Sequence, residues 1–236
     1  MGKTLRIKPK TGKTAGKAGK GSKTGKRRFR LQGYSLALVL VLGVAVLARG
    51  VVLQAFCVPS RSMEDTLLLG DFLLVDKITY GAWIPFTSWR LPALAEPEPG
   101  DLLVFRHPDQ IDRLYLKRCL ATAGQVVEIR NKAVYVDGVR QADPPFSKYI
   151  DARIFPGSRK PRDNFGPQTV PQGHLFVLGD NRDNSRDSRH WGVLNRDMVV
   201  GRPFVVYWSY EPDLSRTGVD LWGQGVRWKR LGAEVK

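Results

Sequence analysis

A pair of serines, Ser60 and Ser62, is the feature of the sequence that most directly suggests chemistry. They stand one residue apart in the stretch PSRSMEDTLLLGDFLLVDKITYG, just after an apolar run. A serine hydroxyl is a weak nucleophile until a neighbouring base accepts its proton, and an activated serine attacks carbonyl carbons to form a covalent intermediate. The pair therefore suggests hydrolysis or acyl transfer, provided that the chain supplies a base.

Histidine and lysine are the candidate bases. The chain has three histidines, none in a metal-binding HExxH pattern: His107, His174 and His190. Their number does not exclude a Ser-His-Asp triad, and a lysine is the known alternative to the histidine. Lys117 lies in DRLYLKRCLATAG, and in an extended strand it shares a face with Tyr115 and Cys119. Burial there would lower its pKa toward a useful range, although the pattern alone favours a surface lysine beside Arg118.

A third polar cluster is the stretch GDNRDNSRDSRHWG, residues 179–192. It can be interpreted as an exposed polar loop or as a calcium-binding loop. The calcium interpretation is rejected, because Arg182 occupies a position that needs an oxygen ligand and Ser185 stands where the loop needs glycine. The sequence therefore predicts no metal site here.

The positive charge of the chain is concentrated at one end. The formal net charge is +16, and residues 1–30 carry 12 Lys/Arg and no acid, which leaves 26 of the 38 basic residues and all 22 acidic residues for the rest. A tail of this composition is predicted to be disordered. It could bind nucleic acid or anionic lipid, but a solvated tail that sets membrane orientation is favoured, and nucleic acid is not an expected partner.

An apolar segment follows the tail. Residues 34–48 carry no charge, and Arg49 comes next. Fifteen residues are fewer than the ~20 of a typical spanning helix, but the flanking Arg49 can extend its side chain to the interface. A buried core helix and a cleaved signal peptide, with small residues near 48–50, are the alternatives. We expect a retained single anchor whose N-terminus is cytoplasmic.

The rest of the chain is predicted to form strands. Short runs of Val, Leu, Ile and Phe, such as DLLVFRH, HLFVLGD and MVVGRPFVVYWSY, alternate with Gly- and Pro-rich pieces. Asp137-Gly138 predicts a hairpin turn. We therefore expect a disordered tail over 1–32, a transmembrane anchor over 33–50 and a mainly β, antiparallel domain over 51–236. Cys57 and Cys119 are expected to be small buried residues, with a single disulfide left open.

Taken together, these segments resemble bacterial type I signal peptidases, membrane-bound Ser-Lys endopeptidases that remove signal peptides. The matching pieces are PSRSMEDTLLLGDFLLVDKITYG, then PGDLLVFRHP running to YLKR, and then GDNRDNSRDSRHWG. They occur in the order typical of the family and extend from about Val51 to Tyr207. The resemblance implies a catalytic domain of coiled antiparallel sheets, which agrees with the predicted strands.

The resemblance also implies roles for individual residues. Ser62 corresponds to the nucleophile and Lys117 to its general base. Ser60 corresponds to a side-chain donor to the oxyanion, with the Ser62 backbone N–H as the second donor. Ser185 corresponds to the residue that orients the lysine. The resemblance implies no cofactor and no metal.

Further family features concern the loop, the turn after the nucleophile and the substrate. Asp187 and Arg189 correspond to a structural ion pair. Asp65 stands where the family usually has proline, which alters a turn without changing a catalytic atom. The family binds its substrate as an extended strand and cleaves after Ala-x-Ala. By position, seven residues are expected to line the substrate pockets: Phe56, Val58, Leu67, Leu73, Val104, Tyr115 and Leu116.

The expected partners are preprotein signal peptides, the lipid bilayer and the protein-translocation machinery. The expected location is the bacterial cytoplasmic membrane, with the catalytic domain on its outer, periplasmic side. Two alternatives stay open: another Ser-Lys peptidase specialised for secretion or conjugation, and a membrane-tethered binding protein with a basic tail. Loss of activity on changing Ser62 would separate an enzyme from a binding protein.

Overall fold

A computed structural model describes most of the chain beyond the basic tail. The described residues are Gly2, Tyr34, 37–43, 50–84, 87–212 and 225–235. The predicted tail, 1–32, lies outside them apart from Gly2, as does part of the predicted anchor, 33–50. The described anchor residues, Tyr34, 37–43 and Gly50, are helical and exposed. Within the described ranges, no helix is long and apolar enough to cross a membrane.

The chain divides into two units, Met1–Val44 and Ala45–Lys236. The second unit is built from antiparallel strands, which confirms the predicted mainly β fold. Its strands among the described residues are β1 (Leu53–Cys57), β2 (Asp71–Asp76), β3 (Leu102–His107), β4 (Gln110–Ala121), β5 (Val126–Arg130), β6 (Ala133–Val136), β7 (Val139–Arg140), β8 (Phe165–Thr169), β9 (His174–Leu178), β10 (Leu194–Asn195) and β11 (Val199–Ser209). The short helical turns are Arg61–Met63, Ser188–Trp191, Arg196–Met198 and Trp228–Arg230.

The larger sheet has seven strands in the order β1-β2-β11-β3-β4-β9-β10. Its central strand β3 is buried on both faces, since Leu102, Leu103, Val104 and Phe105 are all enclosed. The side chains of β3 belong alternately to two buried clusters. Core cluster 1 contains Leu102 and Val104 together with Phe56, Val58, Met63, Leu67, Leu73, Val75, Leu116, Val206 and Val235. Core cluster 2 contains Leu103 and Phe105 together with Tyr80, Cys119, Leu175, Val177, Leu194 and Val199. Strand alternation produces this division, because successive side chains point to opposite faces.

The smaller sheet has four strands in the order β7-β6-β5-β8. The predicted turn at Asp137-Gly138 joins β6 to β7, and both residues have the positive φ that a tight hairpin turn requires (53° and 78°). Strand β8 (FGPQT) falls in one of the Gly- and Pro-rich pieces, where no strand was predicted. It accommodates Pro167 because it is an edge strand, where a missing N–H breaks no ladder bond.

The cysteines differ from the expectation. Cys119 is buried in core cluster 2, as predicted, but Cys57 is exposed at the end of β1, and both are free thiols. The prediction for Cys57 was wrong because β1 alternates: Phe56 and Val58 face the core, which turns the intervening side chain outward.

Candidate active site

Ser62 lies in the short helical turn Arg61–Met63 that joins β1 to β2. Its side chain is buried, and the neighbouring Met63 packs into core cluster 1. The Ser62 carbonyl accepts a hydrogen bond from the backbone N–H of Asn181 (3.0 Å). The serine is therefore fixed from both sides, by the core below it and by the 179–192 loop.

Lys117 lies in β4, paired with Leu103 of β3. Its Nζ lies 2.7 Å from Ser62 Oγ and 3.0 Å from the Leu116 carbonyl oxygen. Only 2% of the lysine is exposed. A protonated lysine donates along the contact with Ser62, and a neutral amine can accept along the same line.

The surroundings of Lys117 favour its neutral form. Burial lowers the pKa of the lysine to about 8, outweighing the nearby carboxylates of Asp187 and Asp180, which raise it. Arg189 adds a smaller lowering effect. A group of this pKa exchanges protons readily near neutral and mildly alkaline pH, which is the property that a general base needs.

Ser60 lies close to Ser62 on the exposed side of the turn. The two hydroxyl oxygens are 3.1 Å apart, and either can donate to the other. Ser60 is exposed, whereas Ser62 is buried. Its hydroxyl is therefore free to turn toward an oxygen atom that approaches Ser62 from solvent.

Ser185 lies near the site but does not hydrogen-bond Lys117. Its buried Oγ makes no hydrogen bond within ordinary distance and angle limits, although it is close enough to Asp187 to help lower the pKa of that carboxylate. A methyl group added to Gly179 would come within 2.2 Å of Ser185 Oγ and 2.6 Å of the Ser62 carbonyl oxygen. Only glycine fits this close approach.

Asp187 and Arg189 form a buried ion pair. Arg189 donates to both carboxylate oxygens of Asp187, at 2.7 and 2.8 Å, and both side chains are buried. Burial alone would raise the pKa of Asp187, but Arg189 holds it below its ordinary value. Arg189 also donates to the backbone carbonyls of Arg162 and Arg182 at 2.8 Å. The ion pair therefore connects the end of the 179–192 loop to an earlier residue of the loop and to the segment before β8.

Two further loop residues hold the site together and were not singled out from the sequence. Asp180 accepts a bidentate hydrogen bond from Arg118 (2.7 and 2.9 Å), which ties the loop to the residue after Lys117. Asn181 donates from its side chain to the Arg61 carbonyl (3.1 Å), next to Ser62. The dense polar motif at 179–192 was the only sequence signal for these two residues. It did not reveal their roles, because their hydrogen-bond partners lie 62 and 120 residues away along the chain.

The turn after Ser62 departs from the family pattern in its backbone. Asp65 has a φ of 79°, in the left-handed region, and its carboxylate lies 3.3 Å from Lys148 Nζ. The ring of proline fixes φ near −65°, so the turn of this chain excludes the proline that the family usually has there.

The three histidines were the other candidate bases. His107 is buried against the rings of Tyr115 and Trp191, and burial lowers its pKa. None of the three, all within the described residues, hydrogen-bonds Ser62. The described residues also contain no group of three or more His, Cys, Asp or Glu side chains that could hold a metal ion.

The seven residues expected to line the substrate pockets separate into two groups. Six belong to core cluster 1: Phe56, Val58, Leu67, Leu73, Val104 and Leu116. Tyr115 instead packs against core cluster 2, with Lys117 Nζ 5.9 Å from its ring centre. Leu73 and Val104 are completely enclosed, so contact with a substrate would require side-chain movement there.

Comparisons with known proteins agree with the family that the sequence motifs suggest. A family model described as signal peptidase, peptidase S26, matches residues 31–208. Signal peptidase I of Pseudomonas aeruginosa is 31% identical over 221 residues, covering 79% of this chain and 78% of its own. Signal peptidase I of Aquifex aeolicus is 30% identical over 222 residues, covering 73% and 82%. A crystal structure of signal peptidase I from Enterococcus faecalis V583, at 25% identity, covers 46% of this chain and 97% of its own with a TM-score of 0.35.

Proposed function

This chain belongs to the signal peptidase I family of peptidases, which remove signal peptides from preproteins, and we propose that it does so with Ser62 as nucleophile and Lys117 as general base. The observation that carries the proposal is the 2.7 Å contact between Ser62 Oγ and a buried lysine whose pKa is lowered to about 8. Nucleophile and base within hydrogen-bond reach are the geometric requirement of covalent catalysis.

The proposed reaction proceeds in two halves. Neutral Lys117 accepts the Ser62 proton as Oγ attacks the scissile carbonyl, and the resulting ammonium protonates the leaving amine as the peptide bond breaks. Water then attacks the acyl-enzyme as Lys117 accepts a proton from it, and the ammonium returns that proton to Ser62 Oγ as the ester bond breaks and the product carboxyl leaves. The Ser60 hydroxyl and the Ser62 backbone N–H are proposed to donate to the oxyanion, and each such donor contributes about 3 kcal/mol in comparable enzymes.

Three of the loop residues have proposed supporting roles. The buried Asp187–Arg189 pair is proposed to hold the loop that contacts the Ser62 turn. Ser185 is proposed to orient Lys117, as the family resemblance implies, through a rotation of its hydroxyl or of the lysine when substrate binds. Its position beside Gly179, next to the Ser62 carbonyl, supports that proposal.

The pH dependence of cleavage tests the state of Lys117. With a pKa of about 8, about one-tenth of Lys117 is neutral at pH 7 and about half at pH 8. Because the neutral form is the active one, kcat/KM is expected to rise roughly fivefold between pH 7 and 8 and to level off above pH 9. The control is Lys229→Ala, an exposed lysine, which should keep the profile. A rate that rises only near pH 10 would mean that Lys117 is exposed to solvent.

Residues 33–50 are proposed to form a single membrane anchor, with residues 1–32 in the cytoplasm and 51–236 on the outer side of the cytoplasmic membrane. The 12 positive charges that precede the apolar segment support this orientation. Contact of the outer domain with the translocation machinery remains a prediction.

Protease accessibility tests the orientation. Protease added to spheroplasts should digest the catalytic domain and leave a protected fragment that contains the tail and the anchor. Lysed spheroplasts are the control, in which the fragment should also disappear. A soluble domain that lacks residues 33–50 would instead support a cleaved signal peptide.

The chain is proposed to cleave after Ala-x-Ala. The two alanine side chains would occupy shallow pockets whose walls include Phe56 and Val58. Both are almost completely buried beside the Ser60–Ser62 turn, so their side chains leave little room for a substrate side chain. Trimming either to alanine is expected to admit larger residues at the third position before the cut, and one methylene changes such discrimination by about 1–3 kcal/mol.

A library of substrates varied at that position would measure the change. Val127→Ala, which removes buried volume from the smaller sheet, controls for general loosening of the core. If Phe56→Ala and Val58→Ala accepted the same residues as the unmodified chain, the pocket assignment would be wrong, and the Ser-Lys mechanism would stand.

A further inference from the structure

The connection from β7 to β8 contains an unusual exposed stretch, Phe146–Arg162, which we call the basic–apolar segment. Three large apolar side chains in it are more than half exposed: Phe146 at 52%, Ile150 at 59% and Ile154 at 51%. Single exposed apolar residues are common, but here three large ones fall within nine residues of one connection, which makes this segment the candidate for a binding surface.

The same segment gathers positive charge around one aromatic ring. Four cations lie 4.7–5.7 Å from the centre of the Phe155 ring: Arg153, Arg159, Lys160 and Arg162. The attraction of each cation to the ring is opposed by the mutual repulsion of like charges at this range. An anion placed among them would relieve that repulsion.

Carboxylates compensate only part of this charge. Arg153 is paired with Asp151, and Arg162 is paired with Asp151 and Asp163. Arg159 and Lys160 are exposed and form no ion pair with any carboxylate among the described residues. Two uncompensated cations thus lie over the ring of Phe155, the residue that follows the exposed Ile154.

We propose that the basic–apolar segment docks onto an anionic lipid surface. Its apolar side chains would enter the boundary between headgroups and acyl chains, and Arg159 and Lys160 would contact lipid phosphates. Apolar residues next to cations are the combination by which proteins bind such interfaces. An acidic protein partner would satisfy the two cations but would leave the apolar side chains unexplained.

The segment is tied to the loop that holds Ser62. The backbone N–H groups of Ile150 and Asp151 donate to the Asp183 carboxylate at 2.9 and 2.8 Å. The N–H of Lys148 donates to the Asp180 carbonyl at 2.9 Å. Docking of the segment would therefore orient the catalytic loop relative to the lipid surface, a property beyond the peptidase reaction itself.

A fluorescent probe tests the docking without relying on catalysis. The full chain carries Cys57→Ser and Ile154→Cys, is labelled at position 154 with a polarity-sensitive dye, and is reconstituted with vesicles containing lipid-borne quenchers. The remaining Cys119 is buried. The control carries the dye at Val139→Cys, a position on β7 that is also more than half exposed. Vesicles of phosphatidylcholine are compared with vesicles that contain 30% phosphatidylglycerol.

Quenching is expected at position 154 and not at 139, and only with the anionic lipid. Each basic residue near an anionic surface strengthens binding about fivefold, so Arg159→Ala/Lys160→Ala should lower the docked-to-free ratio about 25-fold. The matched control, Arg113→Ala/Arg140→Ala, removes two exposed charges elsewhere and should change little. Cleavage of a short peptide in detergent checks that both double variants are folded.

Four results would overturn the proposal. The first is equal quenching at 154 and 139, and the second is quenching that the Arg159→Ala/Lys160→Ala change does not reduce. The third is a dye response in detergent that grows with protein concentration, which would assign the surface to a second copy of the chain. Displacement of the dye from lipid by inorganic phosphate, beyond the effect of equal ionic strength, would show a site for free anions instead.

Discussion

Replacing Ser62 by alanine, or Lys117 by methionine, is expected to reduce the kcat for preprotein cleavage by a factor on the order of 10⁴ or more. The two side chains form one unit at 2.7 Å, so the loss of either removes proton transfer and covalent catalysis together. Methionine keeps the length and burial of the lysine and removes only the amine. The reduction in kcat should therefore be about the same for Ser62→Ala, for Lys117→Met and for the variant that carries both changes.

Smaller effects are expected around this pair. Ser60→Ala removes one oxyanion donor and should lower kcat by roughly 10²–10³, and Ser185→Ala should lower it less. Ser158→Ala and Lys229→Ala, both exposed, are the matched controls and should cleave at the normal rate. Steady-state kinetics with purified preprotein, beside thermal unfolding of each variant, would make the measurement. A Lys117→Met variant within tenfold of normal activity would contradict the assignment of the base.

Breaking the Asp187–Arg189 pair is expected to cost about 3–5 kcal/mol of stability. Asp187→Ala leaves the Arg189 guanidinium, only 5% exposed, without its counter-charge, and an uncompensated buried charge carries a penalty of that size. It also removes the acceptor of the Gly179 N–H, at the start of the catalytic loop. Chemical denaturation in a fixed detergent would measure the change in the free energy of unfolding.

The control variants separate a buried pair from ion pairing in general. Arg130→Ala breaks an exposed pair with Glu128 and should change stability little. The double variant Asp187→Leu/Arg189→Met removes both charges and should lose less stability than Asp187→Ala alone. If Asp187→Ala unfolded at the same denaturant concentration as the unmodified chain, the pair would not support the loop.

The pair also has a defined pH dependence. Arg189 holds the pKa of Asp187 in the folded protein below the value in the unfolded chain. The contribution of Asp187 to stability is therefore fully present above the unfolded pKa of about 3.9, and it disappears as the pH falls through the folded pKa. The ion pair is therefore intact throughout the pH range in which Lys117 titrates.

The strands and the candidate site residues could be predicted from the sequence for different reasons. The strands could be predicted because short apolar runs between turn residues are a local signal, and Asp137-Gly138 fixes its hairpin by local φ preferences alone. Ser62 and Lys117 were proposed from motifs, because from pattern alone a lysine between Leu116 and Arg118 resembles a surface residue. The structure brings the two side chains together across 55 residues.

The rest depends on contacts that no local pattern encodes. Asn181 contacts the Arg61 carbonyl across 120 residues, and Asp180 contacts Arg118 across 62, so neither contact can be read from a local pattern. Ser185 Oγ lies beside Gly179, next to the Ser62 carbonyl, and sequence spacing cannot resolve a side-chain position of this kind. Strand β8 was missed because its Gly166-Pro167 pair is a local signal against strands, which the edge of a sheet overrides.

The central claim is that Lys117 activates Ser62 for attack, and trapping the acyl-enzyme tests it most directly. A peptide that ends in Ala-x-Ala and carries an activated ester would acylate the enzyme faster than water releases it; acid quenching, digestion and mass spectrometry would then locate the adduct. The account predicts an adduct on Ser62 that forms faster from pH 7 to pH 9 and is absent from Lys117→Met. An adduct on any other residue, or one that forms on Ser62 at the same rate in Lys117→Met, would contradict it.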